Sequence, residues 1–360
     1  MIRTYRKLMR SSDSGISSRV YNSFLNRVSQ SGGTIPQAVQ DLSDPLVTDY
    51  RDFDFLNIPQ FNVADSVWSI KGQNITVAGG GNGSRFDENG ILVTGLTNNR
   101  PRYNFDPVIG YGVYVEVQDV NILNYAILFN HPYWFLSSSN ADRSISSVLS
   151  PENILNAYFL EKNAINSLDV LFKGYAGATN SGKIKSIFLR SVSGVGIVHS
   201  LVHNSVARGL LSITQDWKRY TLAFNTDELG GNNHYIIDWR GVGTTLTSAI
   251  VYGAQISDNN TSFIKTSGSP VTRTADIYTA TGLINTTANH LKFYIKNGIK
   301  FAEYYDHGTG ELSIYENGIL ISTVAYTPVP NWVISSTGSD IFKLLAYREG
   351  TFTPTYIQNL

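Results

Sequence analysis

Short segments in which apolar and polar residues alternate dominate the chain from about residue 110 onward. This period of two is typical of β-strands that bury one face. Turns rich in Gly, Asn and Ser separate the segments. The alternation is clearest in residues 112–117, 169–172, 184–192, 220–224 and 235–239. The pattern predicts a mainly β fold, with an antiparallel jelly-roll β-sandwich over residues 110–276.

The last part of the chain, residues 277–360, continues the β pattern and is predicted to form a smaller C-terminal β domain. Asn297-Gly298 and Asn317-Gly318 are strong signals for two-residue hairpin turns. The strands expected around them are residues 291–295, 301–305, 311–315 and 319–326. The segment is short for a complete sandwich. We therefore expect an abbreviated sheet, or one that pairs with another subunit.

Residues 1–60 have a different period, which predicts a short N-terminal helix in an extension that precedes the β domains. Apolar residues recur there at helical spacing. The predicted face consists of Val20, Tyr21, Phe24, Leu25 and Val28. A helix of about three turns is too short to be stable alone. It could pack on its own domain or anchor the chain to a neighbouring subunit. Residues 61–109 are then a connector with short strands.

Composition narrows the possible functions. Of the 360 residues, 42% are hydrophobic and 16% are charged, below the usual quarter or so of charged residues. Lys and Arg number 28, as do Asp and Glu, so the net charge is zero and no global field favours nucleic acid. No apolar run approaches the roughly 18 residues of a membrane span. The first ten residues also lack the apolar core of a signal peptide.

The chain has no cysteine, which removes disulfides, thiolate nucleophiles and cysteine-based zinc sites together. Stability must then come from packing or from association with other subunits. This is compatible with synthesis in a reducing cytoplasm.

Two neighbouring motifs connect the chain to a known family. Residues 85–94 read RFDENGILVT and residues 100–107 read RPRYNFDP. They resemble the signature RFD-x-x-G-x-LVT … N-x-PRFDYDP of a broad family of phage and prophage virion proteins, found in tail or fibre positions. Further resemblances to the family follow in the same order at residues 116–124, 150–159, 216–221, 252–256, 261–268 and 271–276.

The resemblance implies a carbohydrate-binding-module-like jelly roll, followed by a laminin-G-like or concanavalin-like segment. It also implies a virion structural protein of a tail or capsid fibre, assembled in the host bacterial cytoplasm. Its expected partners are other virion proteins, further copies of itself and bacterial surface glycans. Two alternatives stay open. One is a glycan-binding receptor adhesin, and the less favoured one is a capsule depolymerase.

The sequence contains only weak signals for catalytic or metal-binding residues. None of the six histidines has the spacing of a metal site. Asp52 and Asp54 could form a glycosidase pair or a calcium site, but a solvated strand face explains them better. The serine elbow Gly-x-Ser-x-Gly is absent. We therefore expect no enzymatic activity, no cofactor and no metal.

The charged residues of the signature have a structural interpretation. Asp87 and Asp106 each stand in a predicted turn, where Asp bonds to nearby backbone N–H groups. The arginines could pair with these aspartates and hold the connector in place. The full set of signature residues is Arg85, Asp87, Arg102, Asp106 and Arg273.

Sugar binding would need aromatic platforms beside polar side chains, because sugar rings stack their C–H faces on aromatic rings. Of the tryptophans, we expect Trp134 to be an exposed platform and Trp217 to lie in the core. The candidate glycan-binding residues are Tyr133, Trp134, Trp239, Arg240 and Asn232.

Overall fold

The computed structural model describes twelve segments of the chain. These are residues 47–54, 61–62, 67–70, 73–87, 89–106, 110–136, 143–161, 170–174, 183–199, 210–223, 233–239 and 243–358. The predicted helix with Val20, Tyr21, Phe24, Leu25 and Val28 lies outside them, as do Asn232 and Arg240.

The described residues form 27 strands and one short helix. The first nine strands are β1 (Val47–Asp54), β2 (Phe61–Asn62), β3 (Val67–Ile70), β4 (Gln73–Ala78), β5 (Arg85–Phe86), β6 (Leu92–Val93), β7 (Tyr103–Asp106), β8 (Gly110–Glu116) and β9 (Asp119–Asn121). The next ten are β10 (Phe135–Leu136), β11 (Arg143–Ile145), β12 (Tyr158–Glu161), β13 (Val170–Gly174), β14 (Ile184–Ser191), β15 (Gly196–His199), β16 (Leu210–Ile213), β17 (Lys218–Ala223), β18 (Asn233–Asp238) and β19 (Ser248–Ser257). The last are β20 (Val271–Arg273), β21 (Ile277–Ala280), β22 (His290–Lys296), β23 (Ile299–Asp306), β24 (Glu311–Glu316), β25 (Ile319–Ala325), β26 (Trp332–Ile334) and β27 (Ser339–Gly350), with the helix α1 (Pro354–Gln358) at the end.

The middle of the chain forms a jelly roll. Its two antiparallel five-stranded sheets have the orders β11-β12-β19-β14-β17 and β10-β13-β18-β15-β16. If β12 to β19 are counted as first to eighth, the sheets run 1-8-3-6 and 2-7-4-5. This eight-stranded pattern defines a jelly roll, and β10 and β11 each add one edge strand. The predicted jelly-roll β-sandwich is confirmed.

The jelly-roll core lies between the two sheets. Leu189 of β14 and Val251 of β19 face Val198 and Ile213 of the opposite sheet, and all four are fully buried. The strand β19 is also buried on its outer face, where Tyr252 packs with Leu92 of the connector. The connector hairpin β5–β6 therefore covers the outside of the jelly roll.

A second β-sandwich lies beside the jelly roll. Its larger sheet has the order β25-β24-β23-β22-β27-β8-β7, with β1 paired to β27. The facing sheet has the order β2-β3-β4-β21-β26. Their shared core contains Ile75, Val115, Tyr278, Trp332 and Tyr347.

The second sandwich combines strands from all four predicted segments, since β1, β7 and β8 come from the N-terminal third of the chain. The C-terminal strands are therefore part of a larger sandwich that the same chain completes. The strand β8 was expected in the jelly roll, but it pairs with β27 through residues 339–342. Sequence alone could not reveal that β1 and β8 pair with β27, because these pairs join residues more than 200 positions apart.

Both predicted hairpin turns are present in the larger sheet. Asn297 and Gly298 join β22 to β23, and Asn317 and Gly318 join β24 to β25. All four residues have positive φ, between 47° and 82°. This is the conformation that a two-residue type I′ turn requires, and Asn and Gly adopt it most readily.

Gly253 offers a test of the jelly-roll packing. Its φ is +58°, and a Cβ there would lie 3.0 Å from Phe263 and 3.2 Å from Phe188. Gly253→Ala adds left-handed strain of about 1–2 kcal/mol to overpacking of about 1–3 kcal/mol. We expect urea unfolding to show a loss of about 2–5 kcal/mol in total.

Gly194 provides the matched control. Its φ is +62°, but a Cβ there meets nothing within 4 Å. Gly194→Ala should therefore lose only the strain of about 1–2 kcal/mol. Equal losses in the two variants would show that the aromatic contacts around Gly253 are not tightly packed.

Candidate functional site

The most highly organised polar feature is a buried group of four charged side chains between the two sandwiches, which we name the charge cluster. Its members are Arg102, Glu116, Arg273 and Asp276, each with an exposure of 1% or less. Arg102 immediately precedes β7, and Glu116 ends β8. Arg273 ends β20, and Asp276 immediately precedes β21. Two pairs of neighbouring strands, about 160 residues apart in the sequence, therefore bring these charges together.

Arg102 is the centre of the charge cluster. Its Nη2 lies 2.7 Å from Oε2 of Glu116 and also donates to Oδ2 of Asp276. Its Nε donates to Oδ1 of Asp276 over 3.0 Å. Its Nη1 donates to the hydroxyl of Ser262 over 2.9 Å and to the carbonyl of Ser84 over 3.2 Å. Each guanidinium nitrogen thus has a partner, as burial of a charged group requires.

Arg273 and the acids complete the arrangement. Nη1 of Arg273 lies 3.5 Å from both Glu116 Oε2 and Asp276 Oδ2, and its Nη2 donates to the carbonyl of Val117. The Ser339 hydroxyl in β27 donates to Glu116 over 2.5 Å. Two arginines and two carboxylates balance in charge inside the protein.

Burial and charge pull the pKa of each acid in opposite directions. Burial alone would raise the pKa of Glu116, but Arg102, Arg273 and hydroxyl hydrogen bonds outweigh it and lower the pKa to about 2. Burial dominates at Asp276, whose pKa is raised despite Arg102. For Arg102, the attraction of both acids outweighs the effect of burial and raises the pKa further.

A run of glycines, residues 79–83 (GGGNG), packs directly against the charge cluster. A Cβ at Gly80 would lie 2.5 Å from a carboxylate oxygen of Asp276. A Cβ at Gly83 would lie 2.8 Å from Arg273 and 2.9 Å from Arg102. The backbone can approach the charges only because these residues have no side chain.

A second polar group attaches the connector to the jelly roll. Thr94 donates to Glu152, and Lys265 donates to both oxygens of the same carboxylate over 3.0 and 2.9 Å. Asn156 adds a hydrogen bond of 3.0 Å. The signature Thr94 is thus held by residues of two jelly-roll loops.

The signature residues therefore have partners that differ from the expected ones. Arg102 and Arg273 pair with Glu116 and Asp276, so the prediction that they pair with the turn aspartates is wrong for Asp87. The carboxylate of Asp87 instead accepts the N–H groups of Asn89 and Ile91, each over 2.9 Å. This is the turn role predicted for it.

The remaining signature residues are less informative. Arg85 lies in β5 and is half-buried. Asp106 ends β7, and its side chain is outside the described part.

The candidate glycan-binding residues do not form one exposed platform. The prediction that Trp134 is exposed is wrong, because its side chain is 1% exposed and stacks on Phe129. Trp239 is 2% exposed and also belongs to the jelly-roll core. Tyr133 is half-buried and packs edge-on against Trp134. Trp217, expected in the core, packs against the outer cluster only in part.

An open cleft, which no sequence pattern indicated, lies beside the end of β25. The cleft has a volume of about 640 Å³ and contains Tyr305 and Tyr326 in its wall. Their rings meet edge to face with centroids 5.9 Å apart. Thr286 and Thr327 add hydroxyl groups to the lining. Aromatic faces beside hydroxyl groups are the surroundings in which sugars bind.

Membrane-spanning helices and metal-binding clusters are both absent from the described residues. These residues contain no helix of the length and hydropathy needed to cross a bilayer. They also contain no group of three or more His, Asp or Glu side chains that could hold a metal ion.

Comparison with known proteins gives no family. No family model matches the chain. No curated protein matches it either.

Among solved structures, domain 4 of AbnA, a GH43 extracellular arabinanase from Geobacillus stearothermophilus in complex with arabinotriose, is 10% identical with a TM-score of 0.22. The match covers 86% of this chain and 95% of that domain. The binding domain of botulinum neurotoxin serotype D is 9% identical with a TM-score of 0.13, and covers 66% of this chain and 50% of that one. TM-scores this low do not establish a shared fold.

The charge cluster generates a stability prediction. Glu116→Gln leaves two buried arginines facing a single carboxylate, which typically costs about 3–5 kcal/mol. Chemical denaturation should show this loss at neutral pH. As a control, Asp258→Asn removes a pair with Lys183 in which Asp258 is 66% exposed, and it should cost less than about 1 kcal/mol.

Glu116→Gln should also change how the folding stability depends on pH. The folded pKa of Glu116 is about 2, below its ordinary value of 4.5, so the unfolded state binds more protons between these values. The stabilisation by Glu116 is fully present above pH 4.5 and is lost as the pH falls toward 2. Glu116→Gln should flatten this part of the stability curve. An unchanged slope would assign the acid sensitivity to other groups.

Proposed function

We propose that the protein is a non-enzymatic structural subunit of a bacteriophage particle, in a tail or capsid-attached fibre. One observation carries the proposal. Arg102 and Arg273, two of the arginines of the virion-like motifs, are buried in the charge cluster that joins the two sandwiches. A residue that acts on a substrate must contact it, whereas the contacts of these two arginines in the described part of the chain are with Glu116, Asp276 and the backbone, hydroxyl and aromatic groups around them.

Two sandwiches joined into one rigid body would suit a subunit that holds its neighbours in the particle at a fixed distance and angle. The charge cluster ties the connector to both sandwiches through side chains that have little freedom to move. In the proposed particle, the N-terminal segment with Val20, Phe24 and Val28 contacts other virion subunits. Many copies then present the β domains to the host surface, where weak contacts add up through avidity.

Purified particles of the phage or prophage that encodes the chain provide the test. Antibodies raised against the purified protein should label intact particles at one defined location in electron micrographs. Quantitative mass spectrometry should give a copy number that matches a symmetry of that location. Recovery of the protein only from the unassembled fraction of the lysate would contradict the proposal.

A glycan-binding adhesin is the second candidate, and the cleft beside β25 favours it. We infer that Tyr326, which is half-buried and borders the cleft, would provide the aromatic contact. The ligand class would be a surface polysaccharide of the host. The cleft lies in the second sandwich, whereas Tyr133, Trp134 and Trp239, which were predicted from the sequence, lie in the jelly roll.

A comparison of two tyrosine variants tests this site. If the cleft binds glycan, Tyr326→Ala should weaken binding to host polysaccharide at least tenfold, or about 1.4 kcal/mol. Tyr133→Ala, in the jelly roll, should leave binding unchanged. Calorimetry gives both affinities, and thermal unfolding confirms that both variants are folded. The reverse result would place the site in the jelly roll, and release of new reducing ends from the polysaccharide would indicate a depolymerase.

A further inference from the structure

The strand β25 (Ile319–Ala325) forms one edge of the eight-stranded sheet, so one side of its backbone has no partner among the described strands. It pairs with β24 on its other side. An edge strand presents a row of N–H and C=O groups that matches another strand. Such an edge is a docking site unless the sequence protects it.

The side chains of β25 are as exposed as its backbone edge. Exposures are 69% for Ile319, 49% for Leu320, 54% for Ile321 and 47% for Val324. None of its seven residues is charged. Natural edge strands are usually protected by lysine, proline, inward charges, short length or a β-bulge that twists the edge away. The strand β25 has seven residues and no lysine, proline or charge, and its one irregularity is a register shift at Ile321 in its pairing with β24.

The other sheet edges in the described part are protected by one of these devices. The strand β7 has four residues and stands between Pro101 and Pro107. The strand β17 carries Lys218 and Arg219, and β1 carries four charged residues. The remaining edges are short: β2, β5, β6, β9, β10, β11, β20 and β26 have only two or three residues, and β16 has four. Thus β25 is the longest uncharged edge.

The occupant must itself be an extended strand, because only a strand repeats N–H and C=O groups at the spacing of the edge. A second β25 meets this requirement. An antiparallel twofold arrangement about Ser322 would place Leu320 opposite Val324 and Ile319 opposite Ala325. Apolar side chains then meet apolar or small ones, and no like charges approach each other. The zero net charge of the chain also leaves no overall repulsion between two copies.

We propose that two copies of the chain associate through β25, edge to edge and antiparallel, about a twofold axis. The two larger sheets then continue into each other across the interface. Such an interface is self-complementary and closes at two copies. The pairing rests on the exposed edge and does not depend on the proposed role in a phage particle.

Analytical ultracentrifugation of the full-length chain tests the association. The wild type should show a monomer–dimer equilibrium. Leu320→Lys puts a charge opposite Val324 of the other copy on both sides of the axis, and lysine is a residue that natural edge strands use against pairing, so the variant should weaken the dimer at least tenfold. Val195→Lys is the control, because Val195 is 70% exposed in a turn of the jelly roll and should leave the equilibrium unchanged.

Cysteine scanning tests the geometry, since the natural chain has no cysteine. Residues 320–324 are replaced by Cys one at a time and oxidised mildly. A twofold antiparallel pair should give a covalent dimer with high yield at one position, which marks the axis, because disulfides need Cβ atoms about 3.5–4.5 Å apart. Ser313→Cys, in the interior strand β24, should give no covalent dimer.

Three outcomes would overturn the proposal. The first is a monomer at all concentrations, whether the edge is free or covered by residues 1–46 of the same chain. The second is a dimer that Leu320→Lys does not weaken. The third is association that continues beyond two copies, because pairing of β25 with a different edge does not close.

Discussion

The requirement that four buried charges satisfy one another constrains the whole arrangement. Arg102, Glu116, Arg273 and Asp276 are within 1% of full burial, and a half-satisfied group of this kind destabilises more than an apolar core would. Each member therefore has to reach its place together with the strand that carries it. The connector, both sandwiches and the glycine run 79–83 consequently form one interdependent unit.

The two sandwiches differ in how much of their outer faces is covered by other segments of the chain. The connector covers the outer face of the jelly roll, so β19 is buried on both faces. The larger sheet of the second sandwich is covered on one face by the smaller sheet and on part of the other by the segment that ends in α1. Its β25 edge is left open beside the tyrosine-lined cleft. Surfaces available for contacts with other molecules are thus concentrated at this end of the second sandwich.

Local patterns predicted local structure well. The alternation of residues 184–192 and the Asn-Gly pairs at 297 and 317 depend on neighbours in sequence, and the strands and turns formed as expected. Predictions that depended on distant partners were less successful. Trp134 looked like an exposed platform but is covered by the jelly-roll core, and the partners of the signature arginines were misassigned.

The sequence by itself determined the mainly β fold, the jelly roll, the hairpin turns and the turn role of Asp87, because strand period and turn chemistry are encoded within a few residues. Only the tertiary structure decided that β1, β7 and β8 complete the C-terminal sheet, and that Arg102 meets Asp276 across 174 positions. It also decided that β25 is the longest uncharged edge among the described strands. These features arise from pairing between distant segments, for which a single sequence carries no period or spacing.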